Sequence, residues 1–157
     1  MSELAVGKKA PAFAAKDERG SSIKLSDYLG KWVILYFYPK DDTPGCTVEA
    51  CEFTRGLAAF RKLDAVVLGC SPDAPEKHQK FIEKHQLKIR LLSDPDHKIL
   101  EKYGAWGEKK LYGKTTVGPI RSTVLIDPDG KVAYRWAKVK AAGHAEQVRL
   151  KLAELCA

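Results

Sequence analysis

In a chain of 157 residues, no apolar run approaches the roughly 20 needed to cross a bilayer as a helix. The longest, Trp32-Val-Ile-Leu-Tyr-Phe-Tyr38, has the length of a buried strand. The segment Met1-Ser-Glu-Leu-Ala-Val-Gly7 lacks a basic stretch followed by an apolar one, which argues against a secretory signal and makes a cytoplasmic address the default. Repeats, low-complexity tracts and linkers are missing too, so residues 1–157 read as one domain. The net charge is +7, yet no five or six like charges stand in a row. Lysines and acids alternate (Glu76, Lys77, Lys80, Glu83, Lys84), the pattern of a solvated face and not of a nucleic-acid-binding patch. Nor is there a Cys-x2-Cys motif, which disfavours a dithiol exchange site and a zinc knuckle. The four histidines, His78, His85, His97 and His144, are scattered and read as solvated. No metal and no organic cofactor is expected.

What is present suits a soluble globular protein: 45% hydrophobic and 30% charged residues. Pro11 to Gly20 and Ser22 to Leu25 read as a hairpin, followed by a brief turn, Asp27 to Leu29, capped by Ser26. Lys31 to Tyr38 is a core strand, and Pro39 to Gly45 a loop by its proline, glycine and aspartate content. Thr47 to Leu63 has helical spacing, with Val48, Cys51, Leu57, Phe60 and Leu63 near one side. A second core strand (Ala65 to Ser71) leads to a helix (Pro72 to Gln86) with Asp73 as its cap and Phe81-Ile82 inward. Ile89 to Leu92 is a third strand, and a short helix follows from about His97 to Tyr103. Ala105 to Pro119 reads as a glycine-rich loop. Ser122 to Ile126 and Lys131 to Trp136 form a hairpin about Asp127-Pro-Asp-Gly130, and a last helix (Gly143 to Leu155) turns Val148, Leu152 and Leu155 inward. Strands alternating with helices imply an α/β fold with a mixed sheet between helices.

Cysteines stand at 46, 51, 70 and 156. In a reducing compartment they are buried packing groups, ligands or reactive thiols. Cys46 lies just past a core strand, in the first turn of the next helix, where the helix dipole and free backbone N–H groups favour a thiolate. Gly45 lets the backbone approach the sulfur, and the Thr43 hydroxyl can turn toward the sulfur or a bound oxygen. Pro39 and Pro44 stiffen the loop. In a regular helix, Cα atoms five residues apart lie about 8.7 Å from each other. That exceeds the roughly 7 Å reach of a disulfide. A static Cys46–Cys51 bond is therefore excluded, whereas one that forms with local unwinding is allowed.

The run Phe37-Tyr-Pro-Lys-Asp-Asp-Thr-Pro-Gly-Cys-Thr-Val-Glu-Ala-Cys51 resembles the active-site signature of the peroxiredoxins, in particular their Q-type (bacterioferritin comigratory protein) branch. Pro39, Thr43 and Cys46 meet its Pro-x3-Thr-x2-Cys pattern, and Cys46 and Cys51 its Cys-x4-Cys pair. Trp106 to Lys110, Tyr112 to Lys114 and Arg121 to Asp127 resemble the same branch. Cys70 departs from it, standing where the family has an aliphatic residue, and reads as a packing group; Cys156 reads as incidental. The resemblance implies a thioredoxin-like fold with an N-terminal β-hairpin extension, and a monomer is the preferred state. It implies a peroxidase acting on hydrogen peroxide and organic hydroperoxides. Cys46 would attack the O–O bond, Cys51 resolve the sulfenic acid as a disulfide, and thioredoxin or a similar dithiol reduce it. Arg121, Thr43 and the N–H groups of Gly45 and Cys46 would hold the peroxide. Glu49 either holds Arg121 or favours the helix N-terminus. Two other readings stay open, a protein-disulfide exchanger and a redox sensor.

Overall fold

The computed structural model describes residues 4–157. Met1, Ser2 and Glu3, part of the segment read for a secretory signal, lie outside them. None of the described helices is long and apolar enough to cross a membrane.

The apolar run forms strand β3 (Trp32–Phe37), at the heart of a seven-stranded sheet. Successive side chains of a strand point to opposite faces. Val33, Leu35 and Phe37 enter one core and Ile34, Tyr36 and Tyr38 the other. Burial on both faces is why this strand carries no polar alternation. It pairs in parallel with β4 (Ala65–Ser71), which pairs in parallel with β5 (Arg90–Ser93). On its other side it pairs antiparallel with β8 (Ser122–Ile126), which continues to β9 (Val132–Trp136). The N-terminal hairpin, β1 (Ala14–Lys16) and β2 (Ser22–Lys24), extends the sheet beyond β5. Arg90 fastens it by ion pairs to Asp17 and Glu18.

One face is covered by α1 (Pro44–Arg55), α2 (Leu57–Lys62), α3 (Pro75–His85) and α5 (His144–Cys156), which supply Phe53, Phe60, Phe81 and Val148 to its core. The other face is covered by α4 (Lys98–Lys102) and the N-terminal segment, with Leu100 and Phe13 in the core. The expected mixed sheet between helices is what forms.

Several local expectations are corrected. Residues 105–119 are not a loop: Trp106–Leu111 (β6) and Lys114–Pro119 (β7) make a separate two-stranded hairpin. Its strands read Gly-Glu-Lys-Lys and Lys-Thr-Thr-Val, too polar to signal strands by hydrophobicity, and β7 is mostly exposed. The helix expected over 47–63 begins at Pro44 and is broken at Gly56 into α1 and α2. Its inward face is Cys46, Glu49, Ala50 and Phe53, while Val48 is exposed. Leu155, near the end of α5, is exposed as well. Lys24, not Ser26, precedes the short 3-10 turn Leu25–Tyr28, because the Asp27 carboxylate accepts the Lys24 N–H at 2.9 Å. Asp73 does not cap α3; Ala74 is the capping position, and the Asp73 carboxylate accepts from the Asp41 N–H and the Ser71 hydroxyl instead.

Candidate active site

Pairing in the sheet decides what surrounds Cys46. Phe37, the last residue of β3, is in register with Ser122 at the start of β8. Arg121 is thereby set beside the loop that leaves β3, although 75 positions separate it from Cys46. Its guanidinium donates from Nη2 to the Cys46 sulfur at 3.3 Å and from Nη1 to Glu49 Oε1 at 2.6 Å. Cys46 and Glu49 lie three apart on α1, so they share a helix face and one forked donor can serve both. Of the two roles weighed for Glu49, the structure supports holding Arg121.

Glu49 is fully buried, and its second carboxylate oxygen has no hydrogen-bond partner. Burial pushes its carboxyl up to about 7 and outweighs the pull of Arg121 in the other direction. Gly45 also makes room for Arg121. A Cβ there would stand 3.1 Å from Arg121 Nη2, so the missing side chain admits the guanidinium. The first hydrogen bond within α1 is Thr47 N–H to Thr43 carbonyl, 2.9 Å, which leaves the N–H groups of Gly45 and Cys46 ahead of it. The Thr43 hydroxyl does not face the sulfur through its hydrogen: it donates to the Lys40 carbonyl at 2.9 Å. Its oxygen keeps lone pairs for accepting.

Cys46 itself is only 1% exposed, so any reactant must come through a gap. A cavity of about 580 Å³ opens beside it, lined by Pro39, Pro119, Ile120, Arg121 and Val139 together with Lys109, Lys110 and Lys138. Lys109 sits in β6, and burial followed by the charge of Arg121 holds its ammonium below the usual lysine range. Cys51 is half-buried further along α1, with no disulfide to Cys46. Cys70 belongs to the core on the opposite face of the sheet, where burial pushes its thiol well up. Cys156 is exposed at the end of α5.

Comparison with known proteins agrees with this geometry. Residues 6–135 match the model of the AhpC/TSA family. The chain belongs to that family. It is 47% identical over 152 residues to "Peroxiredoxin Bcp" of Bacillus subtilis (strain 168), covering 97% of each chain. To "Peroxiredoxin Bcp" of Escherichia coli (strain K12) it is 43% identical over 148 residues, covering 94% of this chain and 95% of that one. Among solved structures it resembles the Xanthomonas campestris bacterioferritin comigratory protein, at TM-score 0.89, 35% identity and full coverage of both chains. The Xylella fastidiosa PrxQ superposes at TM-score 0.93 with 34% identity, again over both whole chains. The fold is the thioredoxin-like fold of the peroxiredoxins, and the Q-type resemblance read from the signature holds.

Two histidines contradict the solvated reading. His78 and His144 are completely buried. His144 accepts from the Thr123 hydroxyl at 2.7 Å and meets Gln147 Oε1 at 3.1 Å, and burial lowers its basicity. His78 bonds Asp41 of the loop before Cys46. The only sequence signal for it was its spacing to Phe81 and His85, at three and seven residues along one face of α3. Asp41 and Lys109 carried no such signal. Among the described residues, no group of three or more His, Cys, Asp or Glu side chains is arranged to hold a metal ion.

Proposed function

We propose that Cys46 is the attacking thiol of this peroxiredoxin and Cys51 its resolving partner. The chain is a thiol-dependent peroxidase. The observation that carries the assignment of Cys46 is the 3.3 Å bond from Arg121 to its sulfur, which is itself buried in the first turn of α1. The always-charged guanidinium favours the thiolate, which alone is nucleophilic.

A hydroperoxide entering past Pro39 meets three kinds of group. Arg121 and the N–H groups of Gly45 and Cys46 donate, and Thr43, its hydrogen already given to Lys40, accepts the peroxide O–H. The Cys46 thiolate attacks the nearer oxygen in line with the O–O bond. The O–O electron pair leaves with the farther oxygen, which takes a proton and departs as water or alcohol. The sulfur is left as sulfenic acid. Condensation with the Cys51 thiol releases water and forms the disulfide. Thioredoxin or a similar dithiol then reduces it. A cytoplasmic location suits a cycle that needs a dithiol donor.

Paired variants test the assignment. Cys46→Ser should consume no peroxide. Cys51→Ser should react once with peroxide at close to the normal rate, then fail to turn over with thioredoxin while sulfenic acid persists or passes to sulfinic acid. Full turnover by either variant would remove the corresponding assignment.

A further inference from the structure

The loop between β3 and α1 carries Pro39 and Thr43, and it is gripped from below by α3. Asp41 is 6% exposed and holds three bonds into the interior. Its Oδ1 accepts from the Tyr38 hydroxyl at 2.6 Å. Its Oδ2 lies 2.6 Å from His78 Nδ1. Its backbone N–H donates to Asp73 Oδ2 at 2.8 Å. The other ring nitrogen of His78, Nε2, lies 2.8 Å from the Leu92 carbonyl of β5. A carbonyl can only accept, so Nε2 carries a hydrogen, and the Nδ1–Asp41 contact is a hydrogen bond between ring and carboxyl group. Both nitrogens of His78 are thus bonded, and one ring ties the loop to β5. The next residue, Asp42, is held by the same helix: Lys84 Nζ at 2.7 Å and His85 Nε2 at 2.8 Å.

We propose that His78, buried and bonded to Asp41, is a positioning residue for the peroxide-binding loop. A buried polar pair adds little net stability over an apolar pair of the same volume, but it fixes one geometry. The geometry here is that of the Pro39–Thr43 loop. His78 does not touch the sulfur: Arg121, which holds Cys46, and Glu49, which holds Arg121, come from the residue before β8 and from α1 and not from this network. Loss of the grip should therefore spoil peroxide placement while leaving the thiolate in place. The inference rests on Cys46 being the attacking thiol.

The test separates those two steps. In the intact reduced protein, nitrogen-15 NMR of the histidine rings at neutral pH should show a proton on His78 Nε2, held by the Leu92 carbonyl. A bare Nε2 would overturn the tie to Leu92 and with it the grip. His78→Gln and Asp41→Asn should each slow the single-turnover reaction with hydrogen peroxide on the order of tenfold or more, the scale of a sub-ångström misplacement of reactants. Alkylation of Cys46 by iodoacetamide, which needs the thiolate but no peroxide site, should stay within about twofold of normal. The double variant should be no slower than the worse single one, because each removes the same grip. Tyr38→Phe keeps the ring and removes one bond to Asp41, so it serves should the others fail to fold, and a smaller loss in the same direction is expected. Unchanged peroxide rates in the folded variants, or equal losses in peroxide reaction and alkylation, would overturn the proposal. A wild-type protein that does not react with peroxide would instead overturn the assignment of Cys46.

Discussion

Arg121 has to satisfy a sulfur and a carboxylate at once, and the balance between them shapes the chemistry of the site. Its removal leaves the buried Glu49 carboxyl without its only hydrogen-bond partner among the described residues and the sulfur without the Arg121 donor. Arg121→Ala should slow the peroxide step by about 10²-fold or more in stopped flow, the scale of losing one preorganised donor. An unchanged second-order rate would make Arg121 a structural residue. Glu49 predicts a pH effect of definite sign. Its carboxyl titrates near 4.5 when free and at about 7 in the fold. Between those values the native state holds the extra proton. The contribution of Glu49 to stability is therefore full below about 4.5 and is lost as pH rises through about 7. Denaturant titrations at about pH 5 and about pH 8 should show the wild type losing more stability than Glu49→Gln over that interval. Equal losses would show that Glu49 does not titrate there.

Under the proposed cycle, helix α1 has to do two incompatible things. Folded, it presents Cys46 to Arg121; to bring Cys46 and Cys51 within the roughly 7 Å that a disulfide needs, it has to unwind. What it would give up is identifiable. Phe53 stacks on Tyr36 at 4.7 Å and meets the edge of His144 at 6.0 Å, and Glu52 accepts the Gly143 N–H at the start of α5 at 2.8 Å. The break at Gly56 gives the unwinding a natural limit, since α2 beyond it keeps Leu57 and Phe60 in the core. Hydrogen exchange should rise from about Cys46 to beyond Cys51 in the disulfide form, while α2 and α5 stay protected. Equal protection in both redox states would mean that the pairing is wrong. Trp136, edge-on to His144 at 5.2 Å, stands next to this region and offers a fluorescence signal for the change.

Across the whole molecule the sheet acts as a partition. Cys46 and Cys51 belong to the layer of α1, while Cys70 is sealed beneath the other face among Phe37, Leu92 and Tyr103. No movement confined to α1 brings Cys70 to Cys46. Cys70→Ala should therefore keep thioredoxin-linked turnover, and peptide mapping of the oxidised variant should find Cys46 joined to Cys51. A Cys46–Cys70 peptide in the wild type would refute that. The basic charge is also unevenly used: Lys109, Lys110 and Lys138 gather at the cavity beside Arg121.

The signature run and the apolar strand before it settled, from sequence alone, the fold class and the place of Cys46 at a helix N-terminus, and singled that cysteine out for the proposed chemistry. These are local matters. An unbroken apolar run calls for a strand buried on both faces, and the residue after Gly45 falls in the first turn of the helix whatever lies around it. The partners of the site were legible only in part. Arg121 was found through resemblance, but its hold on both Cys46 and Glu49 comes from the register of β3 with β8, which nothing in either segment encodes alone. Likewise the burial of His78, the turning of the Thr43 hydroxyl to Lys40 and the hairpin at 106–119 depend on which elements come to lie against one another. Side chains that read as solvated in the chain became bonded in the fold, because burying a polar group requires a partner and only the packed structure supplies one.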